Sequence, residues 1–201
     1  MLVFIATKMF RAGELRAILR FDRIEFALAA VTLLVVAVVG IEQGIAVALI
    51  LSLADRTRRS ARPRNAILER APGTDHWIPA DIGLPAEQVA GILVYLVYAL
   101  LWYGNADYLR MRLRHLVNVA SRPVHAVVLD AAAMSDIDYT GLQALRDLAT
   151  ELRQKRLTIA VARTSHLAHH NLKHGAFLDQ LGPGHLFPSV DRAVTALQHR
   201  L

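Results

Sequence analysis

Three groups of residues in this 201-residue chain have the types and spacing from which a chemical site could be built. The first is a set of carboxylates, Asp130, Asp136 and Asp138, with Thr140 and Gly141 close behind. Neighbouring carboxylates can divide acid and base roles when their environments pull their pKa values apart. A hydroxyl at a helix start can carry a phosphoryl group, whose negative charge the helix N-terminus favours. Nothing in the sequence groups a nucleophile, a base and oxyanion donors around these carboxylates. Gly-rich phosphate loops, H-E-x-x-H and G-x-S-x-G patterns are also missing. The expectation is a protein that is not an enzyme and has no catalytic residue. A purely structural reading serves the loop as well: Thr140 caps a helix, Asp138 turns the loop and Gly141 permits close packing.

The second group is His166, His170 and His174, with His169 adjacent. Spacing of four places imidazoles on one helix face, where they could ligate a transition metal. No carboxylate lies in that stretch to complete a site, so it reads as a solvated basic face, without metal or cofactor. The third is Glu42, which with Gln43 interrupts an otherwise apolar run from Phe26 to Ala54. An ionisable group inside a membrane is costly and commonly functional. At a turn that reaches water it would need no such role.

That apolar run sets the class. A bilayer core about 30 Å thick calls for about 20 apolar residues per helix. Lys8, Arg11, Arg16, Arg20 and Arg23 precede it, and Arg56, Arg58, Arg59, Arg62, Arg64 and Arg70 follow. Short Lys/Arg-rich flanks stay cytoplasmic. With both flanks on one side, the chain must enter the membrane and return, turning at Gly40, Glu42 and Gly44. Arms so short must pack against other helices. A single tilted helix is the alternative. Residues 9–25 read as an amphipathic interfacial helix or a solvated connecting helix.

The chain is 54% hydrophobic, without cysteine, and carries a formal charge of +6. Disulfides and thiolate chemistry are therefore excluded. Residues 1–70 hold 11 Lys+Arg against 6 Asp+Glu, and residues 71–201 hold 12 against 11. The basic excess is thus juxtamembrane, where each cation gains about 1 kcal/mol beside anionic lipid. A nucleic-acid partner is not expected.

Residues 60–87, with Pro63, Pro72, Pro79 and Pro85, read as a linker after a membrane segment at 1–59. From 88 to 201, strands alternate with helices: GILVYLVY from Gly91, LLWY from Leu100, HAVVLD from His125 and LTIAVA from Leu157. Between them come helices from Asn105, from Thr140 to Lys155 and from Ser165 to His174. A last helix follows Ser189. This predicts an α/β domain with helices packed on a mainly parallel sheet, preceded by a membrane helical hairpin.

Three stretches, VVLDAAAMSDIDYTGLQAL, ELRQKRLTIAVA and HLFPSVDRAVTAL, resemble in order and separation the STAS domain of sulfate transporters and anti-sigma-factor antagonists. Upstream, FDRIEFALAAVTLLVVAVVGIEQGIAVALILSL resembles the last two membrane helices of SulP-type anion transporters. RRSARPRNAILERAPGTDHW and LLWYGNADYLRMRL are similar to that family's linker and first STAS helix. The chain departs from the pattern at Tyr98 and Leu100, where the family commonly has Asp and Pro, and at Tyr139, commonly small. The resemblance implies the C-terminal end of a sulfate or small-anion transporter, driven by an ion gradient when complete. Such transporters have many more membrane segments than the two this chain has room for, so a fragment not competent alone is expected. It also implies an inner- or plasma-membrane location with a cytoplasmic STAS domain. Its partners would be lipid and either the remaining transporter helices or a second copy. In anti-sigma antagonists the residue matching Thr140 is phosphorylated, so the alternative is a phospho-regulated module that binds a kinase-like anti-sigma factor.

Overall fold

The computed structural model describes residues 12–200 and divides into two compact units, residues 1–59 and 60–201. In the first unit, helix α1 spans Ala12–Phe21 and α2 spans Arg23–Val38. The single helix expected over residues 9–25 is therefore broken at Asp22, and residues 9–11, like Lys8, lie outside the described residues. Asp22 is extended, and its carboxylate accepts the backbone N–H groups of Ile24 (2.7 Å) and Glu25 (3.4 Å), so it caps α2.

Helix α3 spans Ile41–Ala61. Between α2 and α3 the backbone N–H groups of Val39 and Gly40 both reach the Val35 carbonyl, at 2.9 and 3.2 Å. Gly40 has φ +142°, a conformation that demands glycine. The turn is thus tighter than the sequence suggests. Glu42 is exposed in the first turn of α3, and Gly44 lies inside α3, not in the turn. Gly44 is buried because a Cβ there would stand 2.1 Å from Val36 Cγ2. At the opposite end, Arg59 bonds Asp55 (2.7 Å), Asp22 (2.8 Å) and Glu25 (3.3 Å). Contacts at both ends make α2 and α3 an antiparallel hairpin and exclude one tilted helix. No described helix is long and apolar enough to cross a membrane. Helix α2 has 16 residues, about 24 Å at 1.5 Å per residue, and the last turns of α3 carry Asp55, Arg56, Arg58 and Arg59.

The second unit is built on a six-stranded sheet. Its strands are β1 (Asn65–Arg70), β2 (Trp77–Pro79), β3 (Ile92–Val97), β4 (Ala126–Asp130), β5 (Thr158–Ala162) and β6 (Leu186–Phe187). They lie in the order β2-β1-β3-β4-β5-β6. β2–β1 and β1–β3 are antiparallel; β3–β4, β4–β5 and β5–β6 are parallel. Residues 60–87 are therefore not simply a linker, since they supply β1 and β2. Their prolines fall where a sheet tolerates them: Pro63 precedes β1, Pro72 is in the β1–β2 turn, and Pro79 ends edge strand β2. The strand expected at Leu100–Tyr103 is reduced to one bridge, Leu101 to Ile137.

Helices α4 (Ala106–Val119), α5 (Tyr139–Gln154), α6 (His166–His174) and α7 (Phe177–Leu181) join the parallel strands, and α8 (Val190–Gln198) ends the unit. Strand side chains alternate between faces. Leu93, Tyr95, Val127, Leu129, Ile159 and Val161 form one core with α4–α7. Val94, Leu96, Val128 and Ala160 form a second with Val190, Val194 and Leu197 of α8. Helices thus cover both faces and hold the β4–α5 loop, which carries the candidate residues.

Candidate functional site

β4 runs into its loop at Asp130, which is fully buried. Its carboxylate is gripped by the Arg163 guanidinium, through Nε at 2.9 Å and through Nη2, and it also accepts the Ala132 N–H at 3.1 Å. Arg163 follows β5, whose last residue, Ala162, is in register with Asp130. Asp130 is thereby committed to an internal ion pair and does not join the other two carboxylates. Arg163 itself was not singled out in the sequence. Register between adjacent strand ends was the signal that could have found it, and a single chain read linearly hides it.

Asp136 and Asp138 flank Ile137, which bridges to Leu101. The Leu101 N–H donates to the Asp136 carbonyl and the Asp138 N–H to the Leu101 carbonyl, both at 2.9 Å. The Asp138 carboxylate accepts the Gly141 N–H at 2.7 Å and the Tyr103 N–H at 2.9 Å. It is therefore Asp138, not Thr140, that caps α5; an aspartate fits there because its oxygen satisfies an orphan N–H. Thr140 is exposed in the first turn of α5, beside Tyr139, whose side chain is 75% exposed. Gly141 is buried where an added Cβ would meet the Leu101 carbonyl oxygen at 2.8 Å.

Asn171 of α6 donates to Asp136 Oδ1 (2.8 Å) and to the Ile137 carbonyl (3.0 Å), fastening the loop to that helix. Asp136, Asp138, Tyr139, Arg146, Asn171 and His174 line an open cleft of about 710 Å³. Arg146 is anchored there by the Gly175 carbonyl and Gln180. The cleft combines carboxylates already bonded to N–H groups with one arginine and one histidine. Such a surface offers charged and polar groups to a partner. Of the histidines, His170 and His174 stack with ring centroids 4.6 Å apart. Among the described residues no group of three His, Asp or Glu side chains is placed to hold a metal.

The fold and this loop can be set beside known proteins. The family model for the STAS domain matches residues 84–193. Over its full length the chain is 32% identical to a probable sulfate transporter of Mycobacterium tuberculosis, covering 36% of that protein. Sulfate transporter 1.2 of Arabidopsis thaliana is 27% identical over 187 residues, 89% of this chain and 29% of its own. The structure of the murine Solute Carrier 26 family member A9 anion transporter in the inward-facing state matches with TM-score 0.85 and 18% identity. That match covers 96% of this chain and 31% of the transporter, and at such identity it is a likeness of fold. The chain spans about a third of the length of the curated relatives it matches.

Proposed function

The chain belongs to the STAS domain family, and from that premise we propose that it forms the C-terminal membrane hairpin and regulatory STAS module of a SulP-type sulfate or small-anion transporter. The observation that carries this reading is the extent of the likeness. It runs through the hairpin as well as the STAS domain, over all of this chain and a third of a protein named a probable sulfate transporter. Exposed Leu34, Val38, Ile45, Leu49 and Leu53 on the hairpin support immersion in lipid, because apolar surface left in water costs about 25 cal/mol per Å². The arginines around both hairpin ends favour a cytoplasmic side for them, in an inner or plasma membrane. Helix α2 is shorter than the bilayer core, so its natural neighbours are further transporter helices or a second copy. The module acts by docking and regulation, without a catalytic step, a cofactor or a nucleic-acid partner.

Two short helices cannot enclose an anion path, so the chain alone does not transport. Reconstitution into liposomes, with uptake of labelled sulfate, tests this. Uptake at the level of protein-free liposomes is expected; robust accumulation contradicts the proposal.

Exposure of Thr140 at the start of α5 favours a second reading, a phospho-regulated binding module. A phosphoryl group there would gain from the helix N-terminus and be opposed by Asp136 and Asp138. Incubating the chain with a candidate anti-sigma kinase and ATP, then mapping phosphate by mass spectrometry, decides it: label on Thr140 supports the reading, and label elsewhere or none removes it.

A further inference from the structure

A second cleft, of about 800 Å³, opens in the STAS-containing unit between the start of β1 and helix α4. We propose that it binds an oxyanion of the sulfate or phosphate class, held by Arg62, Arg64 and Arg112 with the Tyr108 hydroxyl, which Asn65 positions. Three guanidinium groups line it against one carboxylate, Asp81. Among the described residues none of the three has a carboxylate partner within 4 Å. Arg114 and Arg163, by contrast, are paired with Glu151 and Asp130. Arginine's planar fork matches a tetrahedral oxyanion two bonds at a time.

A neutral donor also lines the cleft, the Tyr108 hydroxyl. The Asn65 amide donates to the Tyr108 hydroxyl oxygen at 3.1 Å and is fixed by the Pro63 carbonyl at 3.3 Å. That leaves the Tyr108 hydroxyl proton free to point outward. One buried polar atom of a lining residue, Arg112 Nε, lacks any partner. An orphaned buried donor is costly, and an oxyanion bound by the Arg112 guanidinium would offset that cost. Two sources share this chemistry: a free inorganic anion and the phosphodiester of an anionic lipid headgroup.

The test uses the full chain in nanodiscs of phosphatidylcholine, titrated calorimetrically with sodium sulfate and sodium phosphate at constant chloride. Saturable binding of either anion is expected, weakened roughly tenfold in Arg112→Gln by loss of a charge-assisted bond. Arg122→Gln, an exposed arginine outside the cleft, should leave the affinity unchanged. Repeating the titration in nanodiscs containing phosphatidylglycerol separates the sources. Competition assigns the site to the lipid headgroup, and unchanged affinity assigns it to the free anion. Absence of saturable binding in phosphatidylcholine, or wild-type affinity in Arg112→Gln, overturns the site. Should Arg112→Gln fail to fold, the exposed pair Arg62→Gln with Arg64→Gln decides by the same criterion: weaker binding supports the site and unchanged binding overturns it.

Discussion

Replacing Gly141 with alanine should destabilise the STAS-containing unit although it improves helix propensity. A Cβ at this position would lie 2.8 Å from both Cγ and the carbonyl oxygen of Leu101 and 3.0 Å from its carbonyl carbon. Two of those three atoms are backbone. The Leu101 segment cannot retreat easily, since its N–H bonds the Asp136 carbonyl and its carbonyl accepts the Asp138 N–H, both at 2.9 Å. Relief must therefore come from shifting α5 or breaking the bridge that holds the loop. Overpacking of this kind costs about 1–3 kcal/mol. Alanine recovers up to about 1 kcal/mol over glycine inside a helix, less in a first turn, which leaves a net loss of about 1–2 kcal/mol. For a unit of this size that lowers the melting temperature by roughly 3–6 °C. Thermal unfolding of the full chain in micelles, followed by circular dichroism, measures it. Gly13→Ala serves as control, because nothing lies within 4 Å of a Cβ there. A Gly141→Ala protein as stable as the parent, or more so, would refute the close crossing of Leu101 over α5.

Two further substitutions probe the ion pairs. Arg163 has φ +57°, so asparagine, which tolerates that conformation, is the clean replacement. Arg163→Asn should cost about 1–3 kcal/mol, below the 3–5 typical of a fully buried pair, because the guanidinium is 42% exposed. In a double-mutant cycle with Asp130→Asn, urea denaturation should show a coupling above about 0.5 kcal/mol, and additive effects would contradict the pairing. The hydrogen bond from Arg114, followed by its charge, holds the Glu151 carboxyl below its ordinary value of 4.5. A depressed folded-state pKa means stability that is present above 4.5 and lost as pH falls through the lower folded value. Glu151→Gln should therefore flatten the acid limb of the stability profile while leaving its relative slope near pH 7 unchanged, and an unaltered acid limb would contradict the assignment.

The central strands were legible because β3, β4 and β5 are continuous apolar runs bounded by turn residues, as strands covered on both faces must be. Ser165 and Ser189 announced α6 and α8, and each accepts a backbone N–H in its helix's first turn. The antiparallel edge was hidden by its prolines, which punctuate the sequence; yet Pro63 and Pro72 stand outside the ladder and Pro79 closes it as the last residue of the edge strand. β6 and α7 are two and five residues long, too short for any periodicity to register. Asn105 precedes α4 as its spacing suggests, but its side chain makes no capping bond. It accepts the Trp102 N–H and donates to the Leu100 carbonyl. In the loop, residue types identified Asp138 and Thr140, while the exchange of their roles depends on Leu101 and Tyr103 arriving from another part of the chain.

Cysteine accessibility tests the proposed membrane-anchored module most directly, since the chain has no cysteine of its own. Single cysteines at Arg20, Leu34, Leu49, Thr57 and Ser121 can be probed with a membrane-impermeant maleimide in sealed cells and inverted vesicles. The account predicts that positions 20, 57 and 121 label only when the cytoplasmic face is exposed, that 34 and 49 resist labelling, and that the chain resists carbonate extraction. Recovery in the soluble fraction, free labelling at 34 and 49, or labelling of 20 and 57 from opposite faces would contradict it.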